Sequence, residues 1–158
     1  MDGLPSTSHC RGVRFHHPRS WRGAPWGDEA LVALEPARAD GGFRANLVLT
    51  VMSNGGLSFR DWQAKTDRML PILLRDYSLL DVERLEVAGQ PGGRRCARYV
   101  SPSGCLVLTN QWFTAVGDLG ITLSATADVS SFGLLQTLFA QAAANLTIPS
   151  THIPTSDV

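Results

Sequence analysis

The chain has 158 residues, of which 44% are hydrophobic and 18% are charged, and its 14 basic side chains balance 14 acidic ones. This length fits one compact domain, and the even charge argues against a disordered chain and against nucleic acid as a partner. The sequence has no apolar run long enough for a membrane span or for the apolar core of a signal peptide, so we expect a cytoplasmic protein.

The order of predicted elements is βββαββββα, with flexible tails at 1–12 and 150–158 around a single domain at 13–149. Alternating apolar and polar residues, bounded by turn residues, predict seven strands, at 13–16, 30–35, 43–52, 79–88, 94–100, 105–114 and 119–127. Helical spacing predicts two helices, at 58–74 with Ser58 as N-cap and at 129–146, and Pro71 should kink or end the first. Short connections favour antiparallel pairing, so the fold class is α+β.

The turn residues Gly117 and Asp118 predict a two-residue hairpin loop. This register places Trp112 opposite Leu123 on one side of the sheet, which we call the Trp112 face, and Phe113 opposite Thr122 on the other, which we call the Phe113 face. The Trp112 face is largely apolar and should lie under both helices. The Phe113 face combines small polar groups with an aromatic ring and should be partly exposed to solvent.

A candidate partner-binding patch follows if Pro102 and Ser103 also form a two-residue turn, which would place Arg98 opposite Val107. The predicted patch then contains Arg98, Val107, Thr109, Gln111, Phe113, Thr122 and Ser124. Such a mixture suits a peptide or a helix. The alternative is that it is merely the solvated side of an antiparallel sheet. In the same register Cys96 and Cys105 share this face but lie too far apart for a disulfide, which predicts free thiols.

The run HCRGVRFHHPRSW (9–21) is the feature most suggestive of a metal site. Neighbouring residues on a strand point to opposite faces, so neither the pair His9 and Cys10 nor the pair His16 and His17 should give two ligands to one ion. A cysteine nucleophile activated by one of these histidines would need strands that nothing in the sequence brings together. We therefore expect no metal site, no cofactor and no catalytic residues.

Five segments resemble the PsbP-like superfamily, namely FRANLVLTV (43–51), LSFRDWQ (57–63), VAGQPGGRRCARY (87–99), LVLTNQWF (106–113) and GITLSATAD (120–128). Within it the chain is similar to the LpqN/LpqT family and its relatives DcrB and the Eag chaperones of type VI secretion. The resemblance spans 13–149. It implies a curved antiparallel sheet of about six or seven strands flanked by two main helices, no enzymatic activity, and a role in binding or chaperoning.

The resemblance leaves three functions open. The first is a non-enzymatic binding protein, a chaperone or adaptor for a protein or peptide partner that uses the Phe113 face. The Eag relatives imply this role, since they lack a signal sequence and dimerise to hold hydrophobic helices, so a homodimer can form. LpqN and LpqT are exported lipoproteins, and this chain departs from them in having no signal peptide or lipobox. An envelope protein whose signal sequence lies upstream is the second function, and an unidentified enzyme is the third.

Overall fold

The computed structural model describes residues 6–149, and within them the chain forms nine strands and two helices. The predicted α+β class is confirmed. The elements are β1 (Ser6–Cys10), β2 (Val13–His17), β3 (Arg22–Trp26), β4 (Ala30–Leu34), β5 (Asn46–Ser53), α1 (Phe59–Leu73), β6 (Arg75–Val87), β7 (Gln90–Val100), β8 (Leu106–Val116), β9 (Leu119–Asp128) and α2 (Val129–Ala144). Neither helix is long and apolar enough to cross a membrane in this part of the chain.

Seven of the strands form one antiparallel sheet with the order β3-β4-β5-β9-β8-β7-β6, and β1 and β2 form a separate hairpin. The apolar alternation of β5 and β9 places them at the centre, where Leu47, Leu49 and Leu123 are fully buried. The β8–β9 register is the predicted one. Trp112 lies opposite Leu123 and Phe113 opposite Thr122, because Gly117 and Asp118 close a two-residue loop.

The predicted β7–β8 register is wrong by one residue. Arg98 lies opposite Leu108, and Tyr99 takes the place opposite Val107. The connection is a longer loop in which the amide of Ser101 donates to the carbonyl of Cys105 at 2.8 Å. A slip of one residue moves every side chain of a strand to the other face. Arg98 and Cys96 therefore lie on the Trp112 face, whereas Arg95, Ala97 and Tyr99 lie on the Phe113 face.

The two helices pack on opposite faces of the sheet, which corrects the prediction that both lie on the Trp112 face. Phe132 and Phe139 of α2 join Trp112 and Leu123 in the main core, together with Phe15 of the β1–β2 hairpin. Helix α1 instead lies on the Phe113 face. Its N-cap is Ser58, whose hydroxyl accepts the amide of Asp61 at 3.1 Å, and it ends two residues after Pro71, as predicted.

Two strands were not predicted from the sequence. Residues 6–10, expected in a tail, form β1 and pair with β2 across a turn at Arg11 and Gly12. β1 is polar, so it carries no apolar alternation to reveal it. β3 contains Gly23 and Pro25, which are typical of an edge strand and weaken the local signal. The remaining parts of the predicted tails, 1–5 and 150–158, lie outside the described residues.

Candidate protein-binding face

Helix α1 covers one end of the Phe113 face through an aromatic cluster. The ring of Phe59 stacks on Phe113 with centroids 6.0 Å apart, and Trp62 meets the same ring edge-on at 6.3 Å. Gly120 makes room for Trp62, since a Cβ there would lie 2.5 Å from the indole Cζ2. Phe113 is consequently fully buried. It was predicted to offer its ring to a partner, and in the structure it holds α1 instead.

Arg95 fixes the middle of α1 to the sheet. Its side chain is only 1% exposed, and its Nη2 donates to Oδ1 of Asp67 in α1 at 2.7 Å. Its Nη1 donates to Oε1 of Gln111 at 3.1 Å, and its guanidinium carbon lies 4.1 Å from the Phe113 ring centroid. Sequence reasoning missed this residue because the register error assigned Arg98, and not Arg95, to the Phe113 face.

The polar residues of the predicted patch bond to one another. Gln111 donates to Ser124 at 3.2 Å, and Thr126 donates to Thr109 at 2.9 Å. The hydroxyl of Tyr99 is also engaged here, where burial raises its pKa and a hydrogen bond with Thr126 opposes that shift. The mixed polar character predicted for this face thus corresponds to a hydrogen-bonded strip across β7, β8 and β9.

The predicted patch is therefore smaller than the sequence indicated. Arg98 lies on the Trp112 face, and Val107, Thr109 and Phe113 are buried. Gln111, Thr122 and Ser124 remain half-buried on the Phe113 face. These three residues alone are too few and too enclosed to form a docking surface, so a partner on this face has to use side chains outside the predicted patch.

The structure reveals a groove between α1 and the end of β5, which we call the α1–β5 groove. Its volume is about 380 Å³, and its lining is mainly apolar, with Met52, Ser53, Asn54, Gly55, Trp62, Lys65, Thr66, Met69, Leu70 and Leu73. No side chain of α1 is fully buried against the sheet. The apolar flank of α1 is therefore only half covered by the protein's own residues, and the sequence pattern of α1 gave no sign of that.

The histidines of the opening stretch bond across the β1–β2 hairpin. Nδ1 of His16 lies 2.9 Å from the Thr7 hydroxyl, and Nε2 of His17 lies 2.8 Å from the Ser8 hydroxyl. Within residues 6–149, His, Cys, Asp and Glu side chains form no group of three able to hold a metal ion. These imidazoles thus serve as hydrogen-bond partners that hold the two strands together.

The Ser8 hydroxyl lies beside Nε2 of His17, and Nδ1 of the same ring lies 3.0 Å from the Pro18 carbonyl oxygen. This arrangement is similar to that of a nucleophile beside its general base. The half-buried Ser8 hydroxyl lies close to the main sheet. The backbone of β3 passes directly over it, so that a Cβ added to Gly23 would lie 2.8 Å from Ser8 Oγ. The Ser8–His17 pair therefore lies where the hairpin packs close to β3.

The three cysteines are free thiols. Burial raises the pKa of Cys96, which nearby Arg94 lowers to a smaller extent, and burial likewise raises the pKa of Cys10. A raised pKa reduces the fraction of reactive thiolate at neutral pH. For both side chains the effect of burial exceeds that of the neighbouring arginine, Arg94 for Cys96 and Arg11 for Cys10.

No protein-family model and no curated protein matches this sequence. Solved structures do match. The Pseudomonas aeruginosa protein PA94, for which a regulatory role has been suggested, is 14% identical over 91% of this chain and 96% of its own, with a TM-score of 0.66. Cyanobacterial PsbP from Synechocystis is 15% identical over 93% of this chain and 95% of its own, with a TM-score of 0.64. The chain has the PsbP-like fold.

A third solved structure with the PsbP-like fold is LpqN of Mycobacterium tuberculosis, a protein involved in cell envelope biogenesis. It is 15% identical over 85% of this chain and 82% of its own, with a TM-score of 0.58. The PsbP-like resemblance inferred from the sequence is therefore confirmed at the level of the fold. At 14–15% identity the likeness shows the fold alone.

Proposed function

We propose that this protein is a non-enzymatic binding protein, acting as a chaperone or adaptor, that holds an apolar helical segment of a protein partner in the α1–β5 groove. The proposal rests on three apolar side chains that line this groove and remain in water. Met52 is 41% exposed, Met69 is 42% exposed and Leu73 is 66% exposed. Contiguous apolar side chains at a surface mark interaction sites more often than scattered ones do.

The composition of the groove favours a helical occupant. Trp62, Met69 and Leu73 recur at helical spacing along one flank of α1, and Met52 faces them from β5. Amphipathic helices bind such grooves through anchors spaced by three or four residues. Methionine side chains adapt to partners of different shape because they are unbranched and polarisable. Lys65 is the charged residue of the lining, so most of the contact with a partner would be apolar.

The sheet edges are less suited to a partner than the groove. On one edge, β3 contains Pro25, which has no amide hydrogen to give to an added strand. On the other, β6 is interrupted by irregularities between Arg75 and Ser78 and between Leu79 and Asp81. Proline and strand irregularities are devices that discourage edge pairing. A helix against α1 is therefore a better candidate than a strand added to the sheet.

Methionine methyl groups provide a direct test, because the chain has three methionines and two of them line the groove. The probe is a Leu- and Ala-rich helical peptide flanked by Lys, titrated into protein labelled with ¹³C at the methionine methyls. We expect the Met52 and Met69 signals to shift together and saturably. No shift at Met52 and Met69 at the highest soluble peptide concentration would contradict the proposal.

A pair of charge-introducing variants separates groove binding from general stickiness. Leu73→Glu places a carboxylate in the α1–β5 groove and should lower the affinity for the peptide at least tenfold. Leu134→Glu is the matched control, because Leu134 is 87% exposed on α2, the helix on the opposite face. This control should bind as the wild type does. Equal weakening by both variants would place the peptide elsewhere.

A further inference from the structure

We infer a second binding site on the Phe113 face, for a small amphipathic carboxylate, in a cavity at the β3 edge of the sheet. This cavity, which we call the arginine cavity, has a volume of about 360 Å³ and is lined by Arg22, Ala24, Pro25, Trp26, Val32, Leu34 and Arg44. It shares no lining residue with the α1–β5 groove. The arginine cavity and the α1–β5 groove are therefore formed by different residues.

Two guanidinium groups give the arginine cavity a local positive charge in a chain whose formal net charge is zero. Within residues 6–149 neither Arg22 nor Arg44 forms an ion pair. The stem of Arg44 is held in place, because its Nε donates to the carbonyl of Glu35 at 2.7 Å. Its two terminal nitrogens are left to bind a ligand. Planar guanidinium groups match the two oxygens of a carboxylate.

The rest of the lining is apolar. Trp26 is 74% exposed, and Val32 and Leu34 of β4 project on the same side of the sheet. An exposed indole beside aliphatic side chains offers a flat surface for an aryl or alkyl group. The volume falls in the range of small-molecule sites, about 300 to 1,000 Å³. A cationic end and an apolar floor together select a single carboxylate that carries an apolar tail.

The test compares three matched probes by isothermal titration calorimetry on the whole chain. 4-Phenylbutyrate carries both features, 4-phenylbutanol lacks the charge and butyrate lacks the ring. We expect saturable one-to-one binding of 4-phenylbutyrate, at least tenfold tighter than either of the others. If 4-phenylbutanol binds as tightly as 4-phenylbutyrate, the arginines do not contribute to binding. If butyrate binds as tightly as 4-phenylbutyrate, the apolar lining residues do not contribute.

Variants locate the site. The double variant Arg22→Gln, Arg44→Gln should lower the affinity for 4-phenylbutyrate at least tenfold. Trp26→Ala should also lower this affinity. Arg98→Gln is the control, because Arg98 is exposed on the Trp112 face and should leave binding unchanged. Circular dichroism checks that each variant is folded. If a variant fails to fold, the comparison of probes on the wild type still decides the inference.

Two further outcomes would refute the assignment. Shifts of the Met52 and Met69 methyl signals on adding 4-phenylbutyrate would place the acid in the α1–β5 groove. Tighter binding of N-acetyl-Leu-Phe amide, which has no carboxylate, than of 4-phenylbutyrate would show that the cavity recognises peptide groups and not a carboxylate. If 4-phenylbutyrate does not bind the arginine cavity, the result of the helical-peptide experiment is unaffected. That experiment reports on Met52 and Met69, which line the α1–β5 groove.

Discussion

The guanidinium carbon of Arg95 lies 4.1 Å from the centroid of the Phe113 ring, and both side chains are buried on the face that α1 covers. A cation over an aromatic face contributes about 2 kcal/mol when water is excluded. Arg95 also forms an ion pair with Asp67, and the Phe113 ring also contacts the rings of Phe59 and Trp62. These few contacts position α1 and so define one wall of the α1–β5 groove.

Replacing Phe113 with alanine should lower the free energy of unfolding by about 3 to 5 kcal/mol, the usual cost of removing a buried aromatic ring. Trp112→Ala should cost a similar amount, although Trp112 packs on the other face with α2. Urea unfolding followed by circular dichroism measures both. A cost below about 1 kcal/mol for Phe113→Ala, typical of an exposed position, would mean that α1 does not pack on that ring.

Removing the carboxylate partner of Arg95 should also destabilise the fold. Asp67→Ala leaves a guanidinium nitrogen unpaired, and we expect a loss of about 1 to 3 kcal/mol, since the Asp67 side chain is partly exposed and solvent weakens the pair. Glu29→Ala is the control, because Glu29 forms an exposed pair with Arg11 at 3.7 Å. That control should change stability by less than about 1 kcal/mol. An equal loss of stability in Asp67→Ala and Glu29→Ala would mean that the pair of Asp67 with buried Arg95 does not hold α1 to the sheet.

Gly120→Ala tests how closely α1 approaches the sheet. The new methyl group would lie 2.5 Å from the Trp62 ring, so α1 or the indole has to move, at a cost of about 1 to 3 kcal/mol. The Met69 methyl signal should shift as well. Gly133→Ala is the control, since a Cβ there meets no atom within 4 Å and alanine favours the helix by about 0.5 to 1 kcal/mol. Unchanged stability in Gly120→Ala would mean that Trp62 does not contact β9.

Asp128 should make stability depend on pH in acid. A hydrogen bond from Ser131, together with Ser130 and the charge of Arg38, lowers its pKa, whereas burial opposes the shift. A carboxylate with a lowered native pKa stabilises the fold fully above its unfolded pKa of about 4 and loses that effect as pH falls through the native value. Wild type should therefore exceed Asp128→Asn in stability at pH 7, by a margin that shrinks below about pH 4. Urea unfolding from pH 7 to pH 3 measures this, and a constant margin would contradict it.

Local patterns determined most of the elements and the β8–β9 register. Alternation along β5 and the N-cap at Ser58 depend on neighbouring residues, so they can be recognised in a single sequence. Gly117 and Asp118 fixed the β8–β9 register because a two-residue loop leaves little freedom to slip. The same assumption was wrong at 101–105, where the bond from Ser101 to Cys105 closes a longer loop and moves Arg95 to the Phe113 face.

The tertiary structure alone decided where α1 lies and which surfaces remain uncovered. The spacing of Phe59 and Trp62 indicates that α1 has an apolar flank, but not which face of the sheet that flank meets. Phe113, Arg95 and the space above Gly120 decide it, and these residues are distant in sequence. Both the α1–β5 groove and the arginine cavity combine residues from separate elements. Periodicity reports only local geometry, so neither site could be derived from it.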